Sequence, residues 1–260
     1  YEKYFKSEDF NRVLFKYVRN PKTLDEFKKE VVDVVLERKN SNKSVMIILN
    51  TIRSAQEIFR HIINELKNAR YELKIEKDGV VIARRDYEDE LELYFLSSYV
   101  IPKHRLERIK RIKSSKKKKV IVTTQVVEAG VDISVDKVYR DLAPIDSIIQ
   151  SAGRCNRSGE LVKKGVVELI ELVDNNGYPL ASKVYDSILI DATRSVLKEF
   201  FKERNEIPEK EFNPEACHKY FNLINQKKNL MSESMKFIEA IFKLDMRQIG
   251  EFRLIKDEKK

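Results

Sequence analysis

The chain has 260 residues, enough to bury one full hydrophobic core with a smaller addition, and its 42% apolar and 36% charged residues exclude wholesale disorder. Lys and Arg number 51 against 42 Asp and Glu, a formal balance of +9 that favours a polyanionic partner. Two cysteines (Cys155 and Cys217) and three scattered histidines argue against a disulfide framework and a metal site; the apolar runs are strand length, so no membrane span or secretory segment is read. A cytoplasmic location is the expectation. The chain opens on Tyr1 rather than Met, which points to a piece of something longer.

Residues 1–20, rich in Lys, Phe and Tyr without a clean period, read as a linker or edge segment. From Pro21 onward Leu24, Phe27, Val31, Val34 and Val35 recur at helical spacing, and a helix is expected to end near Asn40. Residues 45–49 (VMIIL) form a short buried strand, and Ser54 begins a helix with Ile58, Phe59, Ile62, Ile63 and Leu66 apolar. Asp78-Gly79 between residues 73–75 and 80–82 signals a hairpin, read as an insertion. A strand at 93–96 leads to a helix over 102–113 with Leu106, Ile109 and Ile112 inward, then a basic loop at 116–119. Strands follow at 120–122, 138–142 and 165–173, with a helix over 145–153. Such alternation predicts an α/β fold with a parallel sheet covered by helices on both faces. After Gly177 the pattern turns helical, with breaks at Pro208, Pro214 and Gly250. The expected organisation is a lobe over 21–177 and a helical C-terminal appendage over 178–260.

Two segments carry the chemistry. The first, Thr123-Thr124-Gln125-Val126-Val127-Glu128-Ala129-Gly130-Val131-Asp132-Ile133, follows a buried strand. In open α/β sheets ligands bind at the carboxyl ends of strands, where hydroxyls and free N–H groups suit phosphate and a carboxylate suits a ribose hydroxyl. A tight turn capped by Asp132 is the other reading. The second, Gln150-Ser151-Ala152-Gly153-Arg154-Cys155-Asn156-Arg157, ends a short helix. Two arginines three residues apart on a helix point the same way, and forked donors suit a transferring γ-phosphate. A solvated basic face is the alternative.

Taken together, in this order and separation, the two segments resemble motifs V and VI of superfamily 2 helicases. With the intervening Val138-Tyr139-Arg140-Asp141-Leu142-Ala143-Pro144-Ile145-Asp146-Ser147, the run from 124 to 157 resembles the helicase region of the CRISPR-associated helicase–nuclease of type I interference systems. Residues 48–56 (ILNTIRSAQ) resemble motif IV, and 96–109 the motif after it. The resemblance implies a RecA-like second helicase lobe. It implies that Arg157 is the arginine finger, with Arg154 beside it on the γ-phosphate of ATP and Gln150 sensing that phosphate. Gly130 and Asp132 would line the nucleotide, and Thr124, Asn50, Thr51 and Ser97 would lie along single-stranded DNA. The motif usually reads Gln-Arg-x-Gly-Arg, whereas Ser151 holds its second position here.

No G-x-x-x-x-G-K-[ST] loop occurs among the seven glycines, and no Asp-Glu pair closes an apolar strand to hold Mg2+. The expectation is therefore a catalytic contributor inactive alone, with ATP and Mg2+ held mainly by an N-terminal RecA-like lobe. Further expected partners are single-stranded DNA, a His-Asp nuclease and a CRISPR surveillance complex. A lobe of a general RNA or DNA helicase and a non-catalytic nucleic-acid-binding scaffold are the competing readings.

Overall fold

Short aliphatic runs bounded by polar loops hide their main-chain polar groups only by pairing on both sides, and they hide both side-chain faces only beneath helices. In a computed structural model of the chain, which describes residues 11–37, 43–86, 89–128, 130–159, 161 and 163–227, these runs form one sheet. In chain order the elements are β1 (Val13–Tyr17), β2 (Lys22–Thr23), α1 (Leu24–Leu36), β3 (Val45–Ile48), α2 (Ile52–Asn68), β4 (Glu72–Ile75) and β5 (Val81–Arg84). There follow β6 (Glu90–Leu96), α3 (Pro102–Ser114), β7 (Lys118–Thr123), β8 (Lys137–Asp141), α4 (Ile145–Ala152), β9 (Gly165–Ile170) and β10 (Leu172–Val173). The last are α5 (Ser187–Phe200), β11 (Glu206–Pro208) and α6 (Glu209–Lys227).

The strand order is β11-β1-β9-β8-β3-β7-β6-β5-β4. The six strands from β1 to β6 in that order run parallel. Antiparallel β11 closes one margin, and the expected 78–79 hairpin, β4 and β5, extends the other. Val45 of β3 aligns with Val120 of β7 and Lys137 of β8, so the three strands end nearly level. On one face α1 and α2 bury Phe27, Val31, Val35, Ile58, Ile62 and Leu66 against Ile47, Val122 and Tyr139. The alternate strand residues face α3 and α4, where Arg111 of α3 donates to Glu92 of β6 at 2.8 Å and Ile145 and Ile148 of α4 are fully buried. The α/β fold with helices on both faces is thus as the alternation requires.

Several boundaries differ. Helix α1 starts at Leu24 because Thr23 and Glu26 form a capping box, while Pro21 stays outside. In α3 it is Arg108 that turns inward beside Ile112, and Leu106 is 55% exposed; Arg108 donates to the carbonyls of Asp78 and Phe95. The strand expected over 165–173 is two, since the chain breaks at Glu171 and β10 pairs with β2 in a separate small sheet.

Segment 1–20, read as a linker or edge, supplies β1, which is paired on both sides. Phe15 packs on Phe212 with ring centroids 4.3 Å apart, and Arg12 pairs with Glu209 at 3.0 Å. The expected boundary at 177 does not coincide with a break in packing: the described residues up to Tyr220 form one compact unit that includes α5 and β11. Strand β11 is three residues ending in proline, too short to show alternation. Pro214 lies within α6 rather than between helices. The second unit starts at Phe221; its described part is the end of α6, and Gly250 lies outside the described residues.

The lysine run is only partly a loop. Lys118 lies in β7, buried, and donates to the Val35 carbonyl at 2.7 Å near the end of α1. Lys119 donates to the carbonyls of Ile112 and Ser115 at 3.0 and 2.7 Å, closing the C-terminus of α3. Burial pushes both ammonium groups below their usual range. Lys118→Met should therefore lower stability by about 1–3 kcal/mol in urea unfolding, because a buried carbonyl loses its donor. Lys116→Ala, at an exposed position, should stay within about 0.5 kcal/mol of the parent.

Candidate functional site

The predicted residues gather in two places. The first is the carboxyl end of the parallel strands, where Asn50 and Thr51 follow β3, Ser97 follows β6 and Thr124 follows β7. Main-chain bonds from Leu49 to Thr123 (3.0 Å) and from Thr124 to Leu96 (3.2 Å) draw these three strand ends together. Thr51 caps α2, its hydroxyl accepting from the Ser54 amide at 3.1 Å. Ser97 is fully buried and accepts from the Tyr99 amide at 3.2 Å; Thr124 is buried too. Thr51 is half-buried, and the large groups that reach solvent here include Arg53, with 91% of its side chain exposed, and Tyr99, at 77%. Neither stands among the predicted site residues.

The second place lies toward the starts of the strands. Gly130, at φ +68°, reverses the chain after the β7 turn in a conformation disfavoured for any residue with a Cβ. Residues 131–135 then run back to β8, where Val135 bridges Cys155. Here Asp132 meets Arg157 Nε at 2.8 Å and Lys113 Nζ, near the end of α3, at 3.2 Å. The Lys113 hydrogen bond and charge, followed by the charge of Arg157, hold the Asp132 carboxyl below its usual range. The Arg157 amide donates to Ser134 Oγ at 3.0 Å.

The two arginines do not share a helix face. Helix α4 ends at Ala152, Gly153 keeps an ordinary right-handed backbone, and Asn156 turns left-handed at φ +45° between the arginines. Arg157 is consequently exposed, whereas Arg154 is buried and donates through Nη2 to the Glu128 carbonyl at 2.8 Å. Burial foremost, then the nearby Arg157 charge, disfavours the protonated Arg154 guanidinium. Gln150 is exposed on α4.

A buried network joins the two places. Arg140 of β8 has no solvent exposure; its Nη1 donates to Asn50 Oδ1 at 2.7 Å and its Nη2 to Glu128 Oε1 at 2.9 Å. Glu128 also accepts from Ser147 at 3.0 Å and Ser151 at 3.3 Å, both on α4. Asn50 Nδ2 donates to Asp141 Oδ2 at 2.8 Å and to the Leu142 carbonyl at 2.7 Å, so both of its N–H groups are turned inward. Burial outweighs the neighbouring Arg140 charge and pushes Asp141 up to about 7. Arg140, Asp141 and Glu128 escaped the sequence reading, although an Arg-Asp pair inside the strand Val138-Tyr139-Arg140-Asp141-Leu142 was a signal, since buried charges must be paired.

A mostly parallel sheet with helices on both faces is the RecA-like α/β architecture, and its threonine–glycine–aspartate loop after β7 and the two arginines after α4 resemble those of superfamily 2 helicase lobes. Comparison with known proteins narrows this. Residues 41–160 match the family model described as CRISPR-associated nuclease/helicase Cas3, C-terminal. A CRISPR-associated nuclease/helicase Cas3 of Haloferax volcanii is 38% identical over 125 residues, covering 42% of this chain and 13% of that protein. A T. fusca Cas3-ADP crystal structure superposes on 92% of this chain and 27% of its own, with TM-score 0.61 and 19% identity. A chain of a CRISPR RNA-guided surveillance complex, pre-nicking, matches 88% of this chain and 27% of its own at TM-score 0.54 and 17% identity. The chain is thus similar to the C-terminal helicase lobe of Cas3 proteins, and it spans about an eighth of the length of that curated relative.

Because the Asp141 carboxyl holds its proton when folded but loses it near pH 4 when unfolded, the folded state binds the extra proton between about pH 4 and 7. Its contribution to stability is present at the acid end of that window and is lost as pH rises. Unfolding in urea should show the parent losing stability relative to Asp141→Asn by up to about 1.4 kcal/mol per pH unit across the window, then levelling. A constant difference from pH 5 to 8 would mean that Asp141 is ionised in the fold.

Proposed function

We propose that the chain is the second motor lobe of an ATP-dependent single-stranded DNA translocase of CRISPR interference. It contributes the arginine finger and part of the DNA path to an ATP site completed by another RecA-like lobe. The observation that carries this reading is the cluster of Arg157, Asp132 and Lys113 with Arg154 directly behind it. The Arg157 guanidinium is held by an exposed ion pair to Asp132, the kind of contact that solvent screens and that a phosphate readily replaces. Arg154, fixed from behind, would present a second guanidinium without having to reorganise. The ADP of the T. fusca Cas3 structure supports a nucleotide as the ligand.

The fit for magnesium is poor on this side. Among the described residues there is no group of three or more His, Cys, Asp or Glu side chains, so Mg2+ would be held by the opposite lobe with the nucleotide phosphates. When bound there, Mg2+ with ATP supplies the polarised phosphoryl group; this chain's part is to neutralise charge at the γ-phosphate through Arg157 and Arg154 and to register it through Gln150. Gly130 would let the loop approach the nucleotide, with Asp132 released toward the ribose. On the DNA side, Thr51, Thr124 and Ser97 shape the strand-end surface from which Arg53 and Tyr99 project. Asn50 serves from behind that surface. Closure of the lobes around nucleotide and reopening after hydrolysis would shift them along the strand. A His-Asp nuclease and a CRISPR surveillance complex are the proposed partners, in the cytoplasm. Among the described residues no helix is long and apolar enough to cross a membrane.

Two measurements test the proposal. The purified chain should show no DNA-stimulated ATP hydrolysis, and adding the phosphate-binding lobe should create it. No gain with that lobe would favour a nucleic-acid-binding scaffold instead. In the assembled helicase, Arg157→Ala should reduce hydrolysis on the order of 10³-fold while DNA affinity holds. Parallel loss of both would refute the finger role.

A further inference from the structure

We propose that Arg140 and Glu128 are positioning residues that couple the DNA side of the lobe to Arg154, a proposal that rests on the function argued above. The geometry forms one continuous chain of contacts. Asn50, beside the strand-end surface, is held through its Oδ1 by Arg140 at 2.7 Å. The same guanidinium reaches Glu128 at 2.9 Å and the Tyr185 hydroxyl at 3.3 Å. Glu128 is then anchored to α4 by Ser147 and Ser151, and its own carbonyl receives Arg154. Displacement of Asn50 therefore shifts the residue on whose carbonyl Arg154 rests.

Burial separates this pair from an incidental surface ion pair. The Arg140 side chain is 0% exposed and that of Glu128 11%, so solvent and salt screen the interaction little. Arg140 Nε has no hydrogen-bond partner, which is a poor arrangement for stability alone, because an apolar strand residue would avoid that cost. Ser151 completes the argument. Its Oγ and Arg140 Nη2 share the single oxygen Oε1 of Glu128. Ser151 is thus small enough to leave room on that oxygen for a guanidinium, which comes from β8.

The test uses the assembled helicase with ATP and single-stranded DNA. Arg140→Met and Glu128→Gln should each lower DNA-stimulated kcat on the order of tenfold, with KM for ATP and Kd for DNA changed less than about twofold. The double variant should be no slower than the slower single, because both changes break one linkage. Ser147→Ala with Ser151→Ala leaves the ion pair intact and guards against misfolding; it should give a smaller loss in the same parameter. Multiplicative losses in the double variant, or full stimulation in either single variant, overturn the proposal. In the chain itself, amide hydrogen exchange reads the linkage without ATP. Arg140→Met should speed exchange at residues 49–51 and at 145–157 together, and loosening confined to β8 counts against coupling. If the parent assembly shows no DNA-stimulated hydrolysis, the motor-lobe reading fails instead, and the exchange result still decides whether the linkage exists.

Discussion

A guanidinium inside a protein must find acceptors for its N–H groups and a counter-charge nearby, because leaving either unmet costs more than most single contacts return. The strand β8 places Arg140 in that position, with no exposed surface, on the sheet face that packs against α4. Its Nη1 and Nη2 groups are met by Asn50 from the turn after β3, by Glu128 from the loop after β7, and by Tyr185 ahead of α5, while Nε stays without a partner. Three segments far apart in sequence are thereby fixed to one side chain. The positions of Arg154, of α4 and of the strand-end surface all follow from how that side chain is satisfied.

The arrangement also separates what is held from what is free to exchange. Groups at the centre, Arg140, Asn50, Asp141 and Ser151, are buried and have their partners within the lobe. Groups at the periphery, Arg157, Asp132 and Lys113, are joined by exposed ion pairs that an incoming polyanion can replace. Arg154 lies between the two classes, fixed through Nη2 and with Nε unpartnered. Such a gradient, with a rigid base and outer charges that are easily displaced, suits the proposed site, which would recognise a phosphate when a second lobe closes.

Much of the fold was legible in the sequence because its buried strands are continuous aliphatic runs and its helices repeat at helical spacing. Residues 45–49 and 120–122 announce the parallel centre, and Asp78-Gly79 announces the hairpin. The margins were not legible. Strand β1 is interior only because the three residues of β11, about 190 positions later, pair with its outer side. Within the lysine run, Lys118 and Lys119 resemble their solvated neighbours in sequence and differ only in the carbonyls they reach.

The same division holds for the site. By its sequence alone the chain marked out the candidate residues, since Thr124, Gly130, Asp132, Arg154 and Arg157 bear side chains and backbone freedoms suited to phosphate at recognisable spacing. Only the tertiary structure decided how they divide. A helix that stops at Ala152 and a left-handed Asn156 send the two arginines to different depths, and a buried Arg140 ties one of them to Asn50. Spacing along a chain records local conformation, whereas burial and pairing depend on segments that meet only when the sheet assembles, and it is these that settle which charges remain available to a ligand.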